Sequence, residues 1–118
     1  MTSLVAVLTT GKGTWGHVSA LIKAEKWDKI FLITNKFGNE KYKPENNEVV
    51  IEVDTNLPTP ELAEQIKKAL QGKIHDIEVA VNFISGEGKE HMALLSALLK
   101  LGLGTRLVVV TKEGVKEL

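Results

Sequence analysis

Short apolar runs alternate with amphipathic stretches along the whole chain, and this alternation constrains the fold more than any other feature. The runs 4–8 and 30–33 contain only apolar residues, which is typical of parallel strands buried on both faces. Between them, Val18, Leu21 and Ile22 recur at helical spacing. Strand, helix and strand in succession indicate βαβ units, and therefore a parallel sheet covered by helices on both faces.

The rest of the chain continues this pattern. We predict a polar loop with one short helical turn over 35–47, an edge strand over 49–53, and a helix over 59–70 with Thr59 as its N-cap. A strand over 77–84, a helix over 90–101 and a strand over 106–111 follow. The last seven residues are predicted to form a polar tail or a short helix. We therefore predict a single Rossmann-like α/β domain over residues 1–118. It is a three-layer sandwich with a five-stranded, mainly parallel sheet in the order 3-2-1-4-5.

Composition excludes several classes of protein. The chain has 118 residues, with 15 Lys and Arg against 15 Asp and Glu, so a general coat protein for duplex nucleic acid is not expected. Without Cys, it has no disulfide, thiolate metal site or Cys nucleophile. We also predict no membrane span and no secretory leader, hence a cytoplasmic protein with no membrane partner.

Two glycine-rich loops follow the first and fourth strands, which are neighbours in the predicted sheet. The strand order runs in opposite directions on either side of this pair, and folds of this kind bind ligands in the crevice at the carboxyl ends of the two strands. Glycines, hydroxyls, lysines and helix N-termini together form a cradle for phosphate groups, although glycines are also common in ordinary turns of this kind. The candidate ligand-binding residues are Thr9, Thr10, Gly11, Lys12, Gly13 and Thr14 from the first loop, and Ser85, Gly86, Glu87, Gly88 and Lys89 from the second.

A nicotinamide- or nucleotide-binding module is the alternative within this fold, since Gly-x-Gly-x-x-Gly spans 11–16. Such a module has an acidic residue about 20 positions further on, whereas residues 34–36 are Thr, Asn and Lys. The bulky Trp15 lies inside the motif, where it either stacks on a base or packs beneath the loop. Lys12 does not directly precede the hydroxyl residue, so the loop is not a Walker A motif.

The spacing of the three histidines does not predict a metal site. His17, His75 and His91 lie in three different connections, without the spacing of a His-rich ligand set. We predict no metal and no cofactor. The chain also contains no Gly-x-Ser-x-Gly elbow, so a hydrolase of that type is not supported.

The two loops resemble those of the CARF domain, the CRISPR-associated Rossmann fold. A strand followed by the Thr-Thr-Gly-Lys-Gly of 9–13 is similar to the first loop of that family. The Gly-Glu-Gly-Lys of 86–89, followed by the Met-Ala-Leu-Leu of 92–95, is similar to its second loop and the helix that follows. Glu87, between the two glycines, departs from the family pattern. The resemblance extends over most of 3–111.

The resemblance implies a homodimer that binds a cyclic oligoadenylate in type III CRISPR antiviral defence, either as a sensor with an effector protein in trans or as a sink. Both loops would contact phosphates and riboses. The resemblance also admits a metal-independent ring nuclease, in which a ribose 2′-hydroxyl attacks the adjacent phosphate. In that case Lys89 would stabilise the developing charge and Thr10 would orient the attack. The residues offer no good general base, which favours a binding protein over an enzyme.

Overall fold

A computed structural model describes residues 2–11 and 13–118. Its elements are β1 (Ser3–Val7), α1 (Thr14–Ala24), β2 (Ile30–Thr34), α2 (Lys36–Lys41), β3 (Glu48–Glu52), α3 (Thr59–Leu70), β4 (Glu78–Asn82), α4 (Gly88–Lys100), β5 (Gly104–Thr111) and β6 (Gly114–Glu117). Among the described residues, no helix is both long and apolar enough to cross a membrane.

The strands form one sheet in the order β3-β2-β1-β4-β5-β6. Strands β1 to β5 are parallel, as the apolar runs predict, and β3 lies at one edge of the sheet. The predicted Rossmann-like α/β fold and its 3-2-1-4-5 order are therefore confirmed, with one strand added beyond β5.

The prediction of a polar tail or short helix at the C-terminus is wrong. Residues 114–117 form β6, which pairs antiparallel with β5 and places Val115 opposite Val110. Gly114 begins this strand with a φ of 104°, a conformation that favours glycine. A four-residue edge strand carrying Lys116 and Glu117 has too few apolar positions to show a period of two. Charged residues of this kind are typical of exposed sheet edges.

Side chains alternating along the central strand β1 supply both layers of the core. Val5 and Val7 pack in the cluster that includes α3 and α4, whereas Leu4 and Ala6 pack in the cluster that includes α1. Every side chain of β1 is buried. The sheet is thus covered on both faces, and its carboxyl edge, where the strand-to-helix loops lie, remains at the surface.

Two helix starts differ from the prediction. Pro58, rather than Thr59, is the N-cap of α3, and Thr59 is already the first helical residue. Helix α4 begins at Gly88, two residues before the predicted start, because Glu87 and Glu90 form a capping box. The short helix α2 lies within the predicted polar loop, whose one helical turn it supplies.

Candidate functional site

The two glycine-rich loops are in direct contact at the carboxyl edge of the sheet. The amide of Gly86 donates to the Thr10 carbonyl at 2.8 Å, and the Ser85 hydroxyl donates to the same oxygen at 3.1 Å. The amide of Thr9 in turn donates to Ser85 Oγ at 3.0 Å. Since β1 and β4 are paired neighbours, the topology brings together the two loops that the sequence singled out.

Three polar side chains are buried where the loops meet. Thr9 Oγ1 donates to Glu90 Oε1 at 2.6 Å, and the Glu87 amide donates to the same carboxylate oxygen at 3.3 Å. Thr9, Ser85 and Glu90 are all buried. These groups satisfy one another, as buried polar groups must, so they join the loops and offer no exposed surface to a ligand.

Glu90 is a residue of this site that the sequence analysis did not single out. Its signal in the sequence is a Glu at the N3 position before an apolar helix, as in a capping box, although Glu87 occupies the N-cap where Ser or Thr is usual. The carboxylate ties the start of α4 to the Thr9 hydroxyl across the interior of the site. Its burial and its partners give it a structural role.

The glycines of the two loops differ in their surroundings. Gly86 has a φ of 97°, and a Cβ there would lie 2.7 Å from Val7 Cγ1 and from Glu90 Oε1. This glycine therefore permits close packing of the protein on itself. By contrast, a Cβ at Gly13 or Gly88 would meet nothing within 4 Å. Backbone at those two positions is approachable from outside.

The surface of the site is formed by the remaining predicted residues. Thr10, Gly11, Gly13, Glu87 and Gly88 are exposed, and Thr14 and Lys89 are half-buried. The Thr14 hydroxyl donates to the Gly11 carbonyl at 2.7 Å and so closes the first loop on itself. Lys12, which was also predicted to bind the ligand, lies outside the described residues.

The N-termini of the two helices at this edge differ in their electrostatics. Helix α1 follows Gly13 without a side-chain cap and has no acidic residue in its first turn. At α4, the carboxylates of Glu87 and Glu90 already accept hydrogen bonds from the first backbone amides. Because unsatisfied amides and the helix dipole attract anions, the start of α1 is the more favourable place for a phosphate.

Trp15 packs beneath the first loop, which settles the two alternatives left by the sequence. Its indole Nε1 donates to the Thr9 carbonyl at 2.9 Å, and its ring packs against the core cluster of α1. The ring also meets Tyr42 edge-on, with centroids 6.2 Å apart. Trp15 therefore supports the loop from below.

Lys89 extends from α4 towards the connection between β3 and α3. Its Nζ donates to the Thr55 carbonyl at 3.0 Å. An ammonium group carries three donors, so this bond leaves two N–H groups of the half-buried lysine for other acceptors. The ammonium is thus fixed at the rim of the site.

Both histidines near this edge have protein partners. His17 Nε2 lies 3.3 Å from Asn82 Nδ2, and His91 Nε2 lies 2.8 Å from the Ser85 carbonyl, with its ring stacked on Phe83. Buried Asn82 also donates to the Val108 carbonyl at 2.8 Å, which fixes the end of β4 against β5. The sequence analysis did not identify Asn82. Among the described residues, no group of His, Asp and Glu is arranged to hold a metal ion.

The residues at the end of β2 make hydrogen bonds that stabilise the fold. Thr34 Oγ1 donates to the Leu8 carbonyl at 2.5 Å, and Asn35 Oδ1 accepts from the Gly38 amide at 2.9 Å as the cap of α2. Dinucleotide-binding domains have an acidic side chain at this position for the ribose hydroxyls. The geometry therefore gives the nicotinamide alternative no support.

Fold and site geometry together define a Rossmann-like α/β domain whose two glycine-rich loops meet at the centre of the sheet. The chain matches no protein-family model, and comparison with curated proteins and with solved structures found no match. The chemistry of the site is thus the basis for a functional proposal.

Proposed function

We propose that the protein binds a cyclic oligoadenylate at the carboxyl edge of β1 and β4, as a homodimer, and acts as a sensor or sink in type III CRISPR defence. The observation that carries the proposal is that the two loops in contact at this edge lead into the uncapped α1 N-terminus and into the first turn of α4, which carries the Lys89 ammonium. Both attract phosphate, and both lie where folds of this topology bind ligands.

The proposed contacts are those that the loops present at the surface. Thr10, Gly11 and Gly13 would approach one phosphate with backbone amides and a hydroxyl, while Gly88 and Lys89 would approach the next. Thr9, Ser85 and Gly86 hold the two loops together beneath them. A chain of zero net charge can bind a polyanion in this way because the attraction is local.

An apolar surface beside the site supports the homodimer. Ile84, Leu107 and Leu118 line one shallow concavity, and Met92 and Leu99 are exposed on the neighbouring helix α4. We call these five residues, each between 42% and 79% exposed, the α4–β5 face. Apolar patches of this kind mark interaction surfaces. A second copy is the fitting partner, because a two-fold axis at this face would bring two phosphate-binding edges together around one ring.

Binding without cleavage is the form that the site favours. Attack by a ribose 2′-hydroxyl is accelerated by a general base, and both histidines near this edge are already engaged by Asn82 or Ser85. A ring nuclease would have to rely on Lys89 and Thr10 alone, through positioning and charge stabilisation.

Calorimetric titration with cyclic tetra-adenylate and cyclic hexa-adenylate tests the proposal. We expect one ring per two chains, and we expect Lys89→Ala to weaken binding by about tenfold or more, since a charge-assisted hydrogen bond is lost twice per ring. Lys100→Ala, at the far end of the same helix, is the matched control and should bind normally. If neither ring binds to the natural protein, the proposal is wrong.

The same samples distinguish a sink from a nuclease. After hours of incubation, intact ring recovered by chromatography would support binding alone. Linear adenylates with 2′,3′-cyclic phosphate ends would show cleavage, and their loss in Thr10→Val would assign the positioning role to Thr10.

A further inference from the structure

A second concavity opens at the carboxyl ends of β2 and β3. It has a volume of about 400 Å³ and is lined by residues 35–37 and 52–56. None of the positions singled out in the sequence as ligand-binding lies in this cleft. It occupies the same edge of the sheet as the two glycine-rich loops, where α/β proteins of this kind bind their ligands.

Phe37 is the most unusual side chain of the cleft, because this aromatic residue is 61% exposed. Its ring is accompanied by the Lys41 ammonium, 5.9 Å from the ring centroid. The helix that carries it is fixed, since a Cβ at Gly38 would lie 1.8 Å from Thr34 Oγ1 and 3.0 Å from the Leu8 carbonyl. The fold therefore holds an aromatic surface towards solvent at a defined place.

The walls of the cleft are rich in hydrogen-bond acceptors. Glu52 Oε1 accepts from Asn39 Nδ2 at 2.8 Å, and Asp54 Oδ1 accepts from the Asn56 amide at 3.0 Å. A carboxylate has about four acceptor positions, so each retains capacity for further donors. The ligand groups that suit such walls are amino groups and hydroxyls, and the exposed ring suits an aromatic ligand.

One contact connects this cleft with the phosphate-binding edge. Thr55, whose carbonyl accepts from Lys89 Nζ at 3.0 Å, also lines the cleft. The ammonium proposed to hold a phosphate therefore stands at the boundary between the two surfaces. A nucleotide with its phosphate at Lys89 has its sugar and base within reach of the cleft.

We infer that the cleft binds the adenine of a nucleotide whose phosphate lies at Lys89, with the base stacked on Phe37 and its amino group or ribose hydroxyl donating to Glu52 or Asp54. This inference rests on the proposed function, and it makes the cleft a determinant of base specificity. Uracil has no exocyclic amino group to donate, so a uridylate ring should bind less tightly than an adenylate ring.

Variants at Phe37 test the inference. Phe37→Ala should weaken binding of cyclic tetra-adenylate by about 5- to 150-fold in calorimetry, the range that base stacking on an aromatic side chain contributes. Phe37→Trp, which preserves stacking, should bind at least as well as the natural protein. Ile77→Ala is the control, because Ile77 is 88% exposed and lies at the opposite edge of the sheet.

A second measurement tests binding of mononucleotides to the cleft in the absence of the cyclic ligand. In NMR titrations with AMP, the amides of 35–37 and 54–56 should shift, and UMP should shift them less. Ring binding that is unchanged in Phe37→Ala would overturn the inference and leave the proposed function intact. A protein that binds neither ring yet shows the AMP shifts would overturn the proposed function and retain the cleft as an adenine site. Absence of the AMP shifts as well would show that the cleft does not bind adenine at all.

Discussion

Gly86 and Gly88 look alike in the sequence but have different structural roles at the second loop. At Gly86 an alanine would have to adopt a φ of 97° and would press its Cβ against Val7 and Glu90 at 2.7 Å. We expect Gly86→Ala to lower the free energy of unfolding by about 3 kcal/mol, because backbone strain and overpacking add. Urea denaturation measures this loss directly.

Gly88→Ala is the comparison that isolates the cause. Gly88 is the first residue of α4, without positive φ, and a Cβ there meets nothing within 4 Å. The substitution should leave stability unchanged or raise it by about 0.4–1 kcal/mol, since alanine restricts the unfolded chain. Equal losses at Gly86 and Gly88 would contradict the packing role assigned to Gly86.

The single tyrosine offers a residue-scale test of burial by pH. Tyr42 donates its phenol hydrogen to Glu48, and burial together with that bond and the nearby carboxylates raises its pKa well above the usual value. The neutral phenol is thus favoured in the folded state. Its contribution to stability is complete below the unfolded pKa of about 10 and is lost as pH rises above it.

Ultraviolet absorbance reports this titration without interference, because the chain contains one Tyr. In the native protein, tyrosinate should not form at the usual pH of about 10 and should form only at higher pH. In concentrated urea, the same residue should titrate near pH 10. A native midpoint near 10 would show that the Glu48 contact and the burial of Tyr42 are absent in solution.

At the scale of elements, one buried pair joins the loop after β1 to helix α4. Thr9 Oγ1 and Glu90 Oε1 are 2.6 Å apart, and both residues are buried. In a double-mutant cycle with Thr9→Val and Glu90→Met, each of which removes one partner of the bond, we expect a coupling free energy of about 1–3 kcal/mol. Additive effects of the two substitutions would mean that the loops are not joined through this pair. Glu61→Gln, an exposed position in the first turn of α3, should change stability by less than about 0.5 kcal/mol.

The elements that the sequence predicted well are those with a strong periodic signal. The run 4–8 and the helix after it are explained by burial alone, and both match the structure. Strand β6 was not predicted, because its four residues contain one valine and so show no alternation of apolar and polar side chains. Strand β6 forms because the edge of β5 offers backbone hydrogen-bonding partners. These partners become apparent only once the sheet is assembled.

The contact between the two glycine-rich loops was predictable from the sequence, but the directions of their side chains were not. The topology follows from the order of strands and helices, so the meeting of the two loops could be expected. Whether Thr9 points inwards to Glu90 or outwards to a ligand depends on the packing of both loops, which no local pattern encodes. The cleft with Phe37 was missed for a related reason, since residues 35–37 and 52–56 come together only through the pairing of β2 with β3.

At the scale of the whole molecule, the edge proposed to bind phosphate and the α4–β5 face are adjacent in the sequence. Ile84 directly precedes Ser85 of the second loop, and Met92 follows Lys89 by one helical turn. A dimer formed through this face would bring the second loops of the two copies towards each other, while each Lys89 extends towards Thr55 of its own chain. Ring binding and self-association should accordingly depend on each other, with the ring favouring the dimer.

Charge placed on the α4–β5 face should separate the proposed dimer into single chains. Leu107→Glu would bury a carboxylate against apolar groups of the partner, at a cost that a small interface does not compensate. We expect sedimentation equilibrium to give the mass of one chain for this variant and of two chains for the natural protein. Ile77→Glu, at a more exposed apolar position just before the amino end of β4, should remain dimeric. If Leu107→Glu stays a dimer with normal stability, the subunits associate through another surface. If the natural protein is a single chain even with the ring bound, the two-fold arrangement of the proposed site is wrong.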